Sequence, residues 1–304
     1  MTIKMRSFHW DNDFEDVRTF LIDIYNLNRS LHSWIPIMFE NLKYGPGGSE
    51  YQDEEDEYVK IWEEVDDSGA AKIVAVTIAK SSGASWIQIH PDFRFLERNL
   101  VDWLETQVEE MGHSEIRFMV EETDEERQAL LAEMGYENLH LDSYHRTRPS
   151  GIPIPEYQLP DGFTIRHVDI LEDFIKYRDL QGSVFKHMRV MTERLAEIYR
   201  NASFYVPELD LVAVAPDGSF AAFCTVRLDP VSRIAEFEPV GTHPDYRRLG
   251  LGKALLLEGL RRLEKYNPAL VCIQGAAPSE AANRLYDSIG LTEKTAVYEW
   301  YKKI

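Results

Sequence analysis

The chain has 304 residues, 44% of them apolar and 28% charged, with a formal net charge of −19, which is the balance of a soluble globular protein with room for two ordinary cores. The acidity belongs to the first half: residues 1–150 hold 14 Lys+Arg against 31 Asp+Glu, a net of −17, while residues 151–304 hold 19 against 21, a net of −2. Such a surface argues against sequence-independent nucleic-acid binding, which needs clustered cations to displace counterions from phosphates, and it suits either cationic small substrates or simple solubility.

The start, MTIKMRSFHWDNDFED, turns acidic before a signal-peptide apolar region forms, and no stretch approaches the roughly 18 apolar residues of a membrane span. A cytoplasmic protein with no membrane partner is expected. Residues 44–58, YGPGGSEYQDEEDEY, combine Gly45, Pro46, Gly47 and Gly48 with an acidic run and predict an exposed loop. Residues 147–162, TRPSGIPIPEYQLPDG, hold four prolines and two glycines and predict a linker. The expected lobes are therefore 1–150 and 151–304.

After the linker, FTIRHV predicts a strand, and LEDFIKYRDLQGSVF and TERLAEIYRNA predict helices with apolar residues every three or four positions. DLVAVA, FAAFCTVRLD and RIAEFEPVGTH follow as strands, the first two joined by a hairpin turn at Pro216-Asp217-Gly218. A helix (GKALLLEGLRRLEKY), a strand (LVCIQGA), a helix (EAANRLYDSIG) and a last strand (AVYEWYKK) complete an α/β lobe with a mixed sheet. Cys224 and Cys272 lie in apolar runs with no CxxC or Cys/His spacing, so they read as buried reduced thiols, with no metal site.

The first half repeats the second. WIQIHPDFRFLERNLVDWLE (86–105) aligns with PVGTHPDYRRLGLGKALLLE (239–258) at an offset of 153, matching His90-Pro91-Asp92 with His243-Pro244-Asp245 and Arg94 with Arg247. Farther on, ALLAEMGYE faces NRLYDSIGLTE, with Gly135 opposite Gly290. An internal duplication explains both matches.

The informative segment is Arg247-Arg248-Leu249-Gly250-Leu251-Gly252-Lys253-Ala254, which follows a strand and opens an amphipathic helix. The first N–H groups of a helix lack intrahelical acceptors and the macrodipole is positive there, so the segment suits a pyrophosphate. Gly250 and Gly252 would clear space for phosphate oxygens, and Arg247, Arg248 and Lys253 add positive charge. A P-loop would need Ser or Thr where Ala254 stands, and a dinucleotide fingerprint would need Gly in place of Leu255.

R-R-x-G-x-G-K-A after a strand ending in V-G-x-x-P resembles the acetyl-CoA motif of GNAT acetyltransferases, and EAANRLYDSIGL resembles the second motif of that family. The resemblance is strongest over residues 230–300. Two such lobes, the first degenerate, resemble the tandem GNAT architecture of the mycothiol synthase family. The resemblance implies an N-acetyltransferase with acetyl-CoA as cosubstrate and an amine of a small molecule as acceptor. It implies that the backbone of Val240, Gly241 and Thr242 pairs with the pantetheine arm, that Arg247, Arg248, Leu249, Gly250, Leu251, Gly252 and Lys253 hold the pyrophosphate, and that Asn283 touches the cofactor arm. Tyr286 would protonate the departing thiolate.

The base falls to a carboxylate of the same strand: Glu236, six residues before Thr242, or Glu238, both expected on one face alongside Val240. Phe185, His187, Arg189, Tyr199, Phe204 and Tyr205 lie where an acceptor pocket is expected, although aromatics at such spacings also serve as core. In the first lobe Glu97 and Asn99 stand opposite Gly250 and Gly252, Phe95 opposite Arg248, Leu100 opposite Lys253 and Leu131 opposite Tyr286, so that lobe is expected neither to bind acetyl-CoA nor to catalyse. The competing expectation is a non-catalytic acyl-CoA sensor that keeps the fold.

Overall fold

A computed structural model describes residues 2–28, 31, 34–45, 59–80, 82–186 and 191–304. The chain divides into two units, the first comprising Met1–Phe39, Glu50–Tyr144 and Thr295–Ile304, the second Glu40–Ser49 and His145–Lys294. Of the acidic loop expected over 44–58, residues 46–58 lie outside the described residues.

The first unit runs β1 (Thr2–Ser7), α1 (Trp10–Asn28), α2 (Pro36–Tyr44, shared with the second unit), β2 (Val59–Val65), β3 (Ala71–Ala79), β4 (Ala84–Ile89), α3 (Glu97–Glu110), β5 (Glu115–Glu121) and α4 (Glu125–Glu133). Its strands lie in the order β1-β2-β3-β4-β5-β12, where β12 (Glu293–Lys303) comes from the far end of the chain. β12 pairs antiparallel with β5 from Val297↔Glu121 to Lys303↔Glu115, and Trp300 enters the core with Val74, Ile87, Leu104, Phe118 and Leu131. Only β4 and β5 are parallel neighbours among these strands, since a crossover through α3 joins them.

β6 (Glu137–Thr147) leads along the chain into the second unit, which continues β7 (Thr164–His167), α5 (Phe174–Val184), α6 (Glu193–Tyr199), β8 (Asp210–Val214), β9 (Phe220–Leu228), β10 (Ile234–Thr242), α7 (Leu251–Leu263), β11 (Leu270–Ala276) and α8 (Glu280–Asp287). Its sheet order is β11-β10-β9-β8-β7, parallel only between β10 and β11. All nine residues of β9 are buried, which explains an unbroken FAAFCTVRL in place of alternation. The hairpin at Pro216–Gly218 closes as expected, with Gly218 at φ 82° and the Ala215 N–H donating to Ser219 O at 2.9 Å. The proline-rich segment is strapped to α7: Tyr157 Oη donates to Glu258 at 3.0 Å, and Arg261 donates to Glu156 at 2.7 Å while lying 4.8 Å over the Tyr157 ring.

The duplication is legible in the caps of each unit. His90 Nδ1 accepts the Asp92 N–H at 3.2 Å, and His243 Nδ1 accepts the Asp245 N–H at 3.2 Å, each ahead of a proline-led turn. Asp124 caps α4 and Ser279 caps α8, while Gly135 and Gly290, which follow those helices, share φ values of 87° and 88°. Both cysteines are buried free thiols. No helix among the described residues is long and apolar enough to cross a membrane.

Candidate active site

β10 pairs with β11 only over Ile234, Ala235 and Glu236, opposite Leu270, Val271 and Cys272, whereas its pairing with β9 continues to Thr242. Beyond Glu236 the two parallel strands part. The backbone edge of Val240, Gly241 and Thr242 toward β11 is therefore without a strand partner among the described residues, a shape that accepts an extended chain of amides. Gly241 is dictated by crowding on its other side, since a Cβ would sit 2.5 Å from Phe223 Cζ and 2.9 Å from Val184 Cγ1.

The register against β9 shifts between Phe237 and Val240, so that Glu238 and Pro239 stand against Thr225 alone. This bulge corrects one expectation. Glu236 faces Arg227 and Val240 faces Cys224; these β9 partners are three apart and point to opposite sides, so Val240 turns away from the face that Glu236 uses.

Glu236 is 2% exposed, and its Oε2 has no hydrogen-bond partner, with Arg227 Nη1 at 3.7 Å. Burial pushes its carboxyl up to about 7; Glu238 adds to the rise, while Arg227 and the Gln274 N–H oppose it. Glu238 is half-buried and its pKa is raised by desolvation against the pull of Arg227. Arg227 escaped the sequence analysis because its importance depends on cross-strand register. It donates from Nε to Tyr199 Oη at 3.1 Å and lies over the rings of Tyr199 and Phe204 at 5.8 and 5.3 Å.

Behind it, Asp210 is fully buried and takes hydrogen bonds from Thr225, Tyr177 and Tyr205 at 2.7, 2.9 and 3.2 Å. Burial nonetheless lifts its pKa to about 6. Of the aromatics expected near an acceptor, Phe185 packs edge-on against Phe223, Tyr199 and Phe204 are core, and Tyr205 serves Asp210; His187 and Arg189 lie outside the described residues.

The loop before α7 has two left-handed positions, Arg248 at φ 65° and Gly250 at φ 78°. A Cβ on Gly250 would meet nothing within 4 Å, so this glycine serves the backbone angle rather than clearance. Gly252 is the close one, where a Cβ would sit 3.3 Å from Thr242 Oγ1, and its lack of a side chain seats the helix start against the end of β10. The first helical hydrogen bond runs from Ala254 N to Gly250 O at 3.0 Å, which leaves the N–H groups of Leu251, Gly252 and Lys253 without intrahelical acceptors. With Arg247, Arg248 and Leu249 exposed around them, these donors fit a diphosphate.

On α8, Tyr286 is half-buried; desolvation raises its hydroxyl to about 12, Glu238 and Cys224 add to the rise and Arg146 opposes it. Asn283 donates from Nδ2 to Ser279 O at 2.9 Å and accepts from Arg146 at Oδ1, so part of its amide is spent inside the protein.

The corresponding cleft of the first unit is filled from within. β4 and β5 pair only at Ala84↔Arg117 and Ser85↔Phe118 and then part. Arg127 donates from Nη2 to Ile87 O at 3.3 Å and from Nε to Glu97, and Arg94 bonds Glu97 and Asp124, each at 2.8 Å. By the offset of 153, Ile87 stands for Val240 and Glu97, here 2% exposed, for Gly250. An internal ion-pair network thus spans the positions that correspond to the open edge and the Arg247–Lys253 loop of the second unit.

Residues 174–291 match the model of the acetyltransferase (GNAT) family. The chain is 26% identical over 230 residues to a mycothiol acetyltransferase of Paenarthrobacter aurescens, covering 73% of this chain and 70% of that one. It is 35% identical over 85 residues to the bS18-alanine N-acetyltransferase of Escherichia coli, covering 28% of this chain and 56% of that one. In fold it is similar to a tandem GNAT protein from the clavulanic acid biosynthesis pathway, with a TM-score of 0.69 at 14% identity over 99% of this chain and 98% of the other. Residues 174–291 thus resemble the GNAT family, and the chain has a tandem GNAT fold and is an N-acetyltransferase similar to mycothiol acetyltransferase, with acetyl-CoA as the acetyl donor.

Proposed function

We propose that the second lobe, residues 151–304, transfers the acetyl group by direct attack of a small-molecule amine on the thioester within a ternary complex, with the first lobe, residues 1–150, as a non-catalytic scaffold. The carrying observation is Glu236, a buried carboxyl held near pKa 7 where β10 leaves β11. Glu236 takes a proton from the ammonium, directly or through water, the freed amine forms the C–N bond as the C–S bond breaks, and the amide nitrogen sheds its second proton to water. The Tyr286 hydroxyl gives its proton to the departing sulfur. Backbone groups of Val240, Gly241 and Thr242 align the pantetheine arm, the Arg247–Lys253 loop holds the diphosphate, and Asn283 borders the arm with what remains of its amide. Glu238 keeps the Glu236 carboxyl from ionising too easily and is the alternative base.

A small amine as acceptor is supported by the longer of the two matches, to a relative named for mycothiol. The test is acetyl-CoA turnover over a panel of amines with Tyr286→Phe beside the unaltered enzyme. The expected result is a kcat about 10²-fold lower with the KM for acetyl-CoA retained. Undiminished turnover with chemistry rate-limiting refutes the acid role.

A further inference from the structure

Arg146 lies near the end of β6, outside both motifs, and among the described residues it is the largest side chain fully withdrawn from solvent. A guanidinium is not placed in the interior without partners, because an unpaired buried charge is strongly destabilising. All of its partners flank one residue. Nη1 donates to Asp287 Oδ1 at 2.7 Å and to Leu291 O at 2.6 Å, and Nη2 donates to Asn283 Oδ1. The guanidinium carbon stands 5.7 Å from the centroid of the Tyr286 ring. Asn283 and Asp287 occupy successive turns of α8 and Leu291 follows the helix, so one fork grips the helix before and after the tyrosine.

Resting on Tyr286 as the acid, we propose that Arg146 is a positioning residue for the acetyl transfer: it fixes the direction of the Tyr286 hydroxyl by clamping α8 and sets a fixed positive charge beside the phenolate left when the proton passes to sulfur. Tyr286 leaves that step as an anion and regains a proton from water, while the new amide nitrogen sheds its second proton and Glu236 returns its own to water, so that one proton is released for each ammonium acetylated. A cation already locked in place stabilises that anion with no reorganisation during the reaction. Its charge also acts against the burial and the Glu238 carboxylate that make the hydroxyl a weaker acid.

The experiment is a double-mutant cycle in the full chain with Arg146→Lys and Arg146→Met, each made alone and with Tyr286→Phe, reading kcat, KM for acetyl-CoA, the basic limb of kcat against pH, and thermal stability. Arg146→Lys keeps the charge and loses the fork; it should lower kcat about 10-fold where Tyr286 is present and less than about 2-fold where it is Phe. Arg146→Met should also move the basic limb upward, and Arg146→Lys should leave it in place. Equal losses in both backgrounds, or no loss for Arg146→Lys, overturn the proposal while leaving Tyr286 its role. A Tyr286→Phe enzyme with full turnover instead removes the acid on which the proposal rests.

Because emptying this site threatens folding, Asp287→Asn at an exposed partner loosens the clamp from outside. Its loss of kcat should likewise vanish in the Tyr286→Phe background, and a loss that persists there counts against the clamp.

Discussion

A carboxyl shut away from water holds its proton longer, and Glu236 is held at about pKa 7 in place of the ordinary 4.5. Two consequences of opposite kind follow. As a base it must be ionised, so kcat/KM should fall as pH drops through about 7. For folding, the raised pKa means that the native state binds more protons than the unfolded chain between those values, so this group's contribution is full below 4.5 and is lost as pH rises toward 7. Glu236→Gln should lower kcat/KM by about 10²-fold or more and remove the acidic limb. Glu238→Gln should move that limb to lower pH, since a like charge near Glu236 is gone. A Glu236→Gln enzyme of full rate with an unaltered limb would transfer the base role to Glu238 or to solvent. The sequence supplied both carboxylates, because residues two apart on a strand are easily recognised as a pair; it did not supply Arg227, whose place beside them is set by register with β9.

At the scale of elements, β10 does two things within nine residues: it anchors to β11 through Glu236 and then, after the bulge at Glu238 and Pro239, offers its open edge. Gly241→Ala forces a methyl into the Phe223 ring and should cost about 1–3 kcal/mol by overpacking, visible as a lower Tm and weaker acetyl-CoA binding. In the loop before α7, Gly250→Ala meets no neighbour but is strained by about 1–2 kcal/mol at positive φ, whereas Gly250→Glu adds a carboxylate at the proposed diphosphate site. Calorimetry should find acetyl-CoA binding weakened in the first and abolished in the second. Equal weakening would assign the glycine to backbone shape alone. The loop was legible in the sequence because glycines and arginines act locally at a helix start. The bulge was not, because an extra residue in a strand appears only against its neighbour.

For the whole molecule, the Arg127–Glu97 network makes the duplication unequal. One acetyl-CoA per chain is expected by titration calorimetry. Arg127→Met, which takes from the buried Glu97 one of its two arginine partners, should destabilise the first unit by up to about 3–5 kcal/mol without raising the stoichiometry. Two equivalent sites in either protein would show that the first cleft is open. The tandem α/β architecture, the duplicated caps at His90 and His243, and the glycine-led start of α7 were determined by sequence alone, since each is written in periodicity, capping residues and glycines a few positions apart. Only tertiary structure decided that Thr295–Ile304 completes the first unit's sheet, that Arg127 fills its cleft, and that Arg146 reaches residues 137 and 145 positions away. The physical reason is shared: a strand's choice of partner and a buried charge's choice of counter-group are settled by which distant surfaces folding brings together, and no local pattern encodes that choice.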